Sequence, residues 1–346
     1  MIDFNNIEEI KKLDPKDVYG STRLFAAQCE QIWKEGKISF PEQYKDIENI
    51  ILCGMGGSAY GGYIVQSLAK EQLRIPLISN NDYHLPGFAT RKSLIFLSSY
   101  SGSTEEVLSC GLEAQEKGFL ITGMASGGKL AELLQSNNVP HLIFNPSNNP
   151  SGQPRLGTGY MVLGFIALLQ SMGILEITDN DVMSAISEVK NNQEKIKLAA
   201  QDTAKKLVGY IPVIFSSEFL NGNAHILRNQ LNETAKVFSA YEDVPELNHH
   251  LMEGLKNPSE KKLAVIFLLS QLYSPIMQKR MALTQDVVGK NGSIVVPYSI
   301  EGSTKISQVL NTLSFGGYLS LCLALLYGQD PSVIPWVDYF KEQLAK

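Results

Sequence analysis

The chain has 346 residues, 44% hydrophobic and 19% charged, a composition suited to a globular protein with two cores. A net charge of −5 gives no broad basic face for nucleic acid, although backbone N–H groups and hydroxyls can still bind a small anion locally. The four cysteines, Cys29, Cys53, Cys110 and Cys322, are scattered without a CxxC pair, which favours reduced thiols over a disulfide framework or a zinc site.

The charged opening "MIDFNNIEEIKKLDPKD" lacks the apolar run of a signal peptide. The longest apolar segments carry Gly, Ser or Gln too often to read as membrane spans, so a cytoplasmic protein without a membrane partner is expected. Strand patterns follow at 49–54, 75–80, 93–99, 119–124 and 141–145, with helical stretches such as "AYGGYIVQSLAKEQ" between them. This alternation predicts a doubly wound parallel sheet with helices on both faces. "PRLGTGYMVLGFIALLQSMG" reads as a long buried helix closing that unit. The charge-dense stretch 187–207 reads as a solvated amphipathic helix bridging two halves.

The pattern then restarts: strands at 211–217, 263–270 and 293–299, a helix through 221–240, and a final long helix from about Thr304. "YEDVPELNHH" reads as an irregular segment running away from its own core. The expected organisation is an N-terminal unit over 1–175, a linking helical segment over 176–208 and a C-terminal unit over 209–346.

Two turns carry the chemistry. "CGMGGSAYGG" (53–62) follows the first strand, and Gly56, Gly57 and Ser58 there present backbone N–H groups to an anion at a helix start. Gly54, Gly56 and Ala59 also fit a loose dinucleotide fingerprint, with Asp82 after the second strand as the ribose acid. The second turn, "SSYSGSTEE" (98–106), is a different signal, because a dinucleotide site has no use for so many hydroxyls after the third strand. Ser99, Ser101 and Thr104 can converge on a phosphate, donating without adding formal charge. Capping of a helix by Ser103 or Thr104, with Glu106 in the capping-box place, accounts for one or two of these hydroxyls. Both turns stand at carboxyl ends of strands, where α/β sheets bind ligands.

With "PRLGTGY" (154–160), "LNETAK" (231–236), "ELNHH" (246–250) and "DPSVIPWVDYFK" (330–341), these turns resemble the sugar-isomerase (SIS) proteins. Within them they are similar to the bifunctional phosphoglucose/phosphomannose isomerases, in family order over nearly the whole chain. The resemblance implies two SIS subdomains and a homodimer with shared active sites. It also implies interconversion of glucose 6-phosphate or mannose 6-phosphate with fructose 6-phosphate.

By that resemblance Glu233 is the carboxylate base, Arg155 the cation beside the enediolate, and His249 the ring-opening histidine, assisted by Lys341. On the residues alone, Glu233 reads better as a helix-surface acid paired with Lys236, and Arg155 also reads as a helix-start arginine in a surface ion pair. The family more often has Asn where His250 stands, so either histidine fits the role. His84, His141 and His225 have no motif around them and read as loop or structural residues. No His/Glu/Asp spacing suggests a metal, and no cofactor is expected. A non-catalytic sugar-phosphate sensor, an aminosugar-forming isomerase and a dinucleotide-dependent oxidoreductase are the alternative readings.

Overall fold

The structure, a computed structural model, describes every residue except 1, 3, 5 and 345. Three short helices, α1 (Ile7–Leu13), α2 (Val18–Arg23) and α3 (Phe25–Glu35), lead into an alternating α/β unit. Its elements are β1 (Asn49–Cys53), α4 (Tyr60–Leu68), β2 (Leu77–Asn80), β3 (Ser93–Ser99), α5 (Glu105–Lys117), β4 (Leu120–Ala125), α6 (Gly128–Ser136), β5 (His141–Ile143) and α7 (Thr158–Ser171). The five strands form one sheet in the order β2-β1-β3-β4-β5, and every pairing is parallel. β3 is buried along its whole length, as a continuous apolar run inside a two-sided parallel sheet should be. Residues of α5 and α6 cover one face with Ile51, Cys53, Ile95 and Leu97, whereas α3, α4 and α7 pack with Ile50, Leu52, Leu94 and Phe96 on the other.

α8 (Asp179–Leu207) then runs for 29 residues. Thr178 and Asp181 close a reciprocal capping box at its start. Its buried Val182, Ala185, Ile186, Val189, Ile196, Ala200 and Ala204 recur at helical spacing. The second α/β unit comprises β6 (Ile211–Ser217), α9 (Asn221–Glu233), β7 (Ala240–Val244), β8 (Leu263–Leu269), α10 (Pro275–Lys290), β9 (Ile294–Ser299), α11 (Lys305–Leu326) and α12 (Pro335–Leu344). Its parallel sheet has the order β7-β6-β8-β9. The β6–α9–β7 and β8–α10–β9 crossovers step across the sheet in opposite directions, so their right-handedness puts α9 and α10 on opposite faces. α11 is long and apolar enough to cross a membrane, with a mean hydropathy of 1.7 in its most apolar window, yet 89% of that window is buried inside the protein. It packs on α8 and α9 as a core helix, and one apolar cluster runs through both units.

Two expectations need correction. The helix expected over 221–240 stops at Glu233, and residues 240–244 form the edge strand β7 instead of an irregular run. The stop is hidden because a lysine, not glycine, takes the left-handed position: Lys236 has φ 55°, and the Val237 N–H turns back onto Leu231 O. The strand is hidden because an edge strand tolerates acids, here Glu242 and Asp243, and shows no apolar run. After β7, a 3₁₀ turn over Glu246–His249 buries Leu247 and leaves His249 exposed.

Candidate active site

The first turn leaves β1 at Cys53 and tightens at Gly56, whose φ of +50° favours glycine, into a 3₁₀ turn over Gly56–Ala59 that feeds α4. Ser58 laces it to the second turn: its Oγ accepts from Tyr100 N at 3.0 Å and its carbonyl accepts from Ser98 Oγ at 2.6 Å. In the second turn, buried Ser99 Oγ pairs with Thr104 Oγ1 at 2.8 Å and accepts from Gly102 N at 3.1 Å. Ser101 and Ser103 are exposed and share a hydroxyl contact of 2.9 Å. The expected side-chain cap is not made. Thr104 holds the N-cap position of α5, but its hydroxyl turns to Ser99, so no side chain caps the first-turn N–H groups. Those groups and the positive end of the helix dipole stand beside the hydroxyls, an arrangement suited to an anion.

Arg155 lies next to this cradle in the 3₁₀ turn Pro154–Leu156, its Cα 3.5 Å from where a Cβ on Gly57 would stand. It is not a surface ion-pair arginine but is 6% exposed. Its Nη2 donates to the carbonyls of Pro331 and Ser332, both at 2.8 Å, and Nη1 donates to Gln153 Oε1 at 3.1 Å. The buried Nε has no hydrogen-bond partner among the described residues. Burial pulls the guanidinium below its ordinary pKa, and the charge of Glu233 opposes that shift.

Glu233 ends α9 and is largely enclosed. Desolvation raises its carboxyl above the ordinary value, against the attraction of Arg155 and then Lys341. The surface pairing with Lys236 is absent: that ammonium donates to the carbonyls of Thr234 and Asp330. Three of the four residues expected to be catalytic thus come from different elements, with the charges of Arg155 and Lys341 acting on Glu233. Arg155 comes from the first unit, Glu233 from the second, and Lys341 from exposed α12. His249 is not brought to them; no hydrogen bond or ion pair among the described residues links it to Glu233, Arg155 or Lys341. His250 pairs with Glu246 at 2.6 Å.

The other histidines have local roles. His225 stacks on Tyr63 at 3.9 Å and meets the Tyr241 hydroxyl through Nδ1 at 3.1 Å. Burial, then Arg228, pushes it down to about 4. His141 Nδ1 faces Val139 O, and exposed His84 lies 3.7 Å from Glu113. A cavity of about 510 Å³ does open beside His225, Glu218 and Asp243, but none of the expected site residues lines it.

Sequence reading missed the residues that place Arg155. Buried Gln28 on α3 donates to Leu156 O at 3.0 Å and accepts from Gly159 N at 3.1 Å, clamping both sides of the turn. Tyr100 supports it from the other side: its hydroxyl accepts from Asn149 Nδ2 at 2.7 Å, and its ring lies 2.1 Å from where a Cβ on Gly157 would stand. Only the Pro331–Ser332 carbonyls had a sequence signal, since they fall inside "DPSVIPWVDYFK".

Two parallel doubly wound sheets with a hydroxyl-rich turn after the third strand define a two-domain SIS protein. The C-terminal domain of glucosamine-fructose-6-phosphate aminotransferase from Francisella tularensis shares this fold, with a TM-score of 0.71 at 12% identity, covering 95% of this chain and 99% of that one. Residues 196–344 match the family model of the bacterial phospho-glucose isomerase C-terminal SIS domain. The bifunctional phosphoglucose/phosphomannose isomerase of Caldicellulosiruptor bescii is 29% identical over 92% of this chain and 96% of its own length. Its namesake from Aquifex aeolicus is 29% identical over 86% and 91%. The chain is thus similar over most of its length to bifunctional phosphoglucose/phosphomannose isomerases.

Proposed function

We propose that this chain interconverts glucose 6-phosphate, mannose 6-phosphate or both with fructose 6-phosphate, with Glu233 as the proton-transferring base. The observation that carries this reading is a buried arginine beside a hydroxyl-lined anion cradle, its charge acting on a desolvated carboxyl. The phosphate sits among Gly56, Gly57, Ser58, Ser99, Ser101 and Thr104. With the sugar ring open, the Glu233 carboxylate removes the proton on C2, and the electrons move to the C1 carbonyl oxygen to form an enediolate. Protonated Glu233 returns its proton to C1, while the O2 hydroxyl proton passes to O1. The ketose carbonyl then stands at C2.

A base must accept and release one proton in turn, which suits a carboxyl raised by burial. Arg155 stabilises the enediolate through donors its protein carbonyls leave open; such preorganised charge stabilisation is worth roughly 3–4 kcal/mol. Lys341 and His249 of the partner subunit open the ring. Support for a homodimer comes from α12, which buries none of its residues and exposes Trp336, Tyr339 and Phe340.

The test is a coupled assay that follows fructose 6-phosphate from each aldose phosphate, with no metal or nicotinamide in the isomerase step. Formation of the ketose from either substrate is expected. A sensor protein or an oxidoreductase yields none.

A further inference from the structure

Lys236 occupies a position that its own chemistry disfavours. The left-handed backbone at a helix end is ordinarily left to glycine or asparagine, because a Cβ crowds the chain there. Its half-buried ammonium is also set near a second cation, Arg155, with Asp330 as the compensating charge; burial first and Arg155 second push it down to about 8. Glycine would relieve both conflicts, so the side chain is retained for what it does.

The ammonium donates to Thr234 O at 3.1 Å, at the end of α9, and to Asp330 O. Asp330 opens a short strap between α11 and α12, and its Oδ1 accepts from Ser332 N at 2.7 Å and Ser332 Oγ at 2.6 Å. The next two carbonyls of that strap, Pro331 and Ser332, are those gripped by Arg155. Two cations from different units therefore hold three successive carbonyls of one strap. The Lys236 ammonium donates to Thr234 O and Asp330 O and not to the Glu233 carboxylate, so its hydrogen-bonded link toward Arg155 runs through the strap.

We propose that Lys236 is a positioning residue for the isomerisation: by tying Asp330 to the end of α9, it sets the strap that orients the Arg155 guanidinium against Glu233. The role in catalysis rests on the isomerase reading above; the mechanical link does not.

The experiment compares wild type, Lys236→Gly and Lys236→Met by steady-state kinetics, melting temperature and amide hydrogen exchange. Lys236→Gly is expected to melt no lower than wild type while kcat falls about 10–100-fold and KM stays within about threefold, as for a misplaced transition-state group. Both variants should exchange the Ser332 amide faster. A lowered melting temperature with kcat of the folded enzyme within about twofold of wild type would reduce Lys236 to a structural residue and overturn the proposal. If wild type itself does not isomerise, the functional reading fails separately, and the exchange arm still decides the strap: an unchanged Ser332 amide overturns the link and faster exchange supports it.

Discussion

Glu233, from the second α/β unit, and Arg155, from the first, each sense the other's charge without closing into an ion pair. A closed pair would hold the carboxylate ionised and occupy the guanidinium. Held apart, the carboxyl keeps a raised pKa and the arginine keeps donors open. Protein carbonyls, not a carboxylate, orient it.

Glu233→Gln preserves shape but cannot accept a proton, so kcat should fall by about 10²–10⁴ with the fold intact. The same change carries a stability signature. A carboxyl raised in the folded state contributes stability at pH below its unfolded value and loses it as pH rises through the folded value. The glutamine variant should therefore melt above wild type at pH 7 and converge with it near pH 4. In wild type, the acid limb of kcat/KM should lie above the ordinary glutamate range. Thermal scans and a pH–rate profile check both.

Ser101→Ala and Thr104→Ala should raise KM by about tenfold or more and change kcat far less, since a hydrogen bond to a charged group contributes roughly 1.5–3 kcal/mol. Phosphate anchoring is shared by the ground and transition states. Competition by inorganic phosphate should weaken in parallel, and an unchanged KM in both variants removes the phosphate assignment.

His249 stands exposed and unconnected to Glu233 within its own chain, which makes a site shared between two chains testable by complementation. Glu233→Gln and His249→Ala, each inactive, are unfolded and refolded together. If the residues meet across a two-fold interface, each mixed dimer has one intact site, and about a quarter of wild-type activity returns. With heterodimers confirmed, no recovery places His249 in its own chain's pocket.

Gly157→Ala would drive a methyl into the Tyr100 ring, 2.1 Å from the new Cβ. Overpacking of this kind costs about 1–3 kcal/mol. Because Gly157 ends the turn that carries Arg155, kcat should fall along with the melting temperature. Tyr100→Leu in the same chain should recover part of the stability by removing the ring atoms that clash; calorimetry on the single and double variants decides this.

The local signals in the chain were enough for most of the fold. Buried parallel strands are continuous apolar runs, so β1, β3, β4, β6 and β8 announce themselves, and the two turns carry their glycines and hydroxyls in short contiguous stretches. The signal failed where the physics was not local. β7 is a polar edge strand whose partner β6 lies more than twenty residues earlier, and the stop before it is a lysine in a glycine's conformation.

The candidate site divides in the same way. Its anion cradle was legible because the donors are neighbours in sequence. The state of Glu233 was not, since the sequence offers only a helix acid three residues from a lysine. Tertiary structure turned that lysine away to Asp330, desolvated the carboxyl and brought the charge of Arg155 to bear on it. Desolvation and the approach of a charge from another unit are properties of packing, and they alone distinguish a candidate base from a surface glutamate.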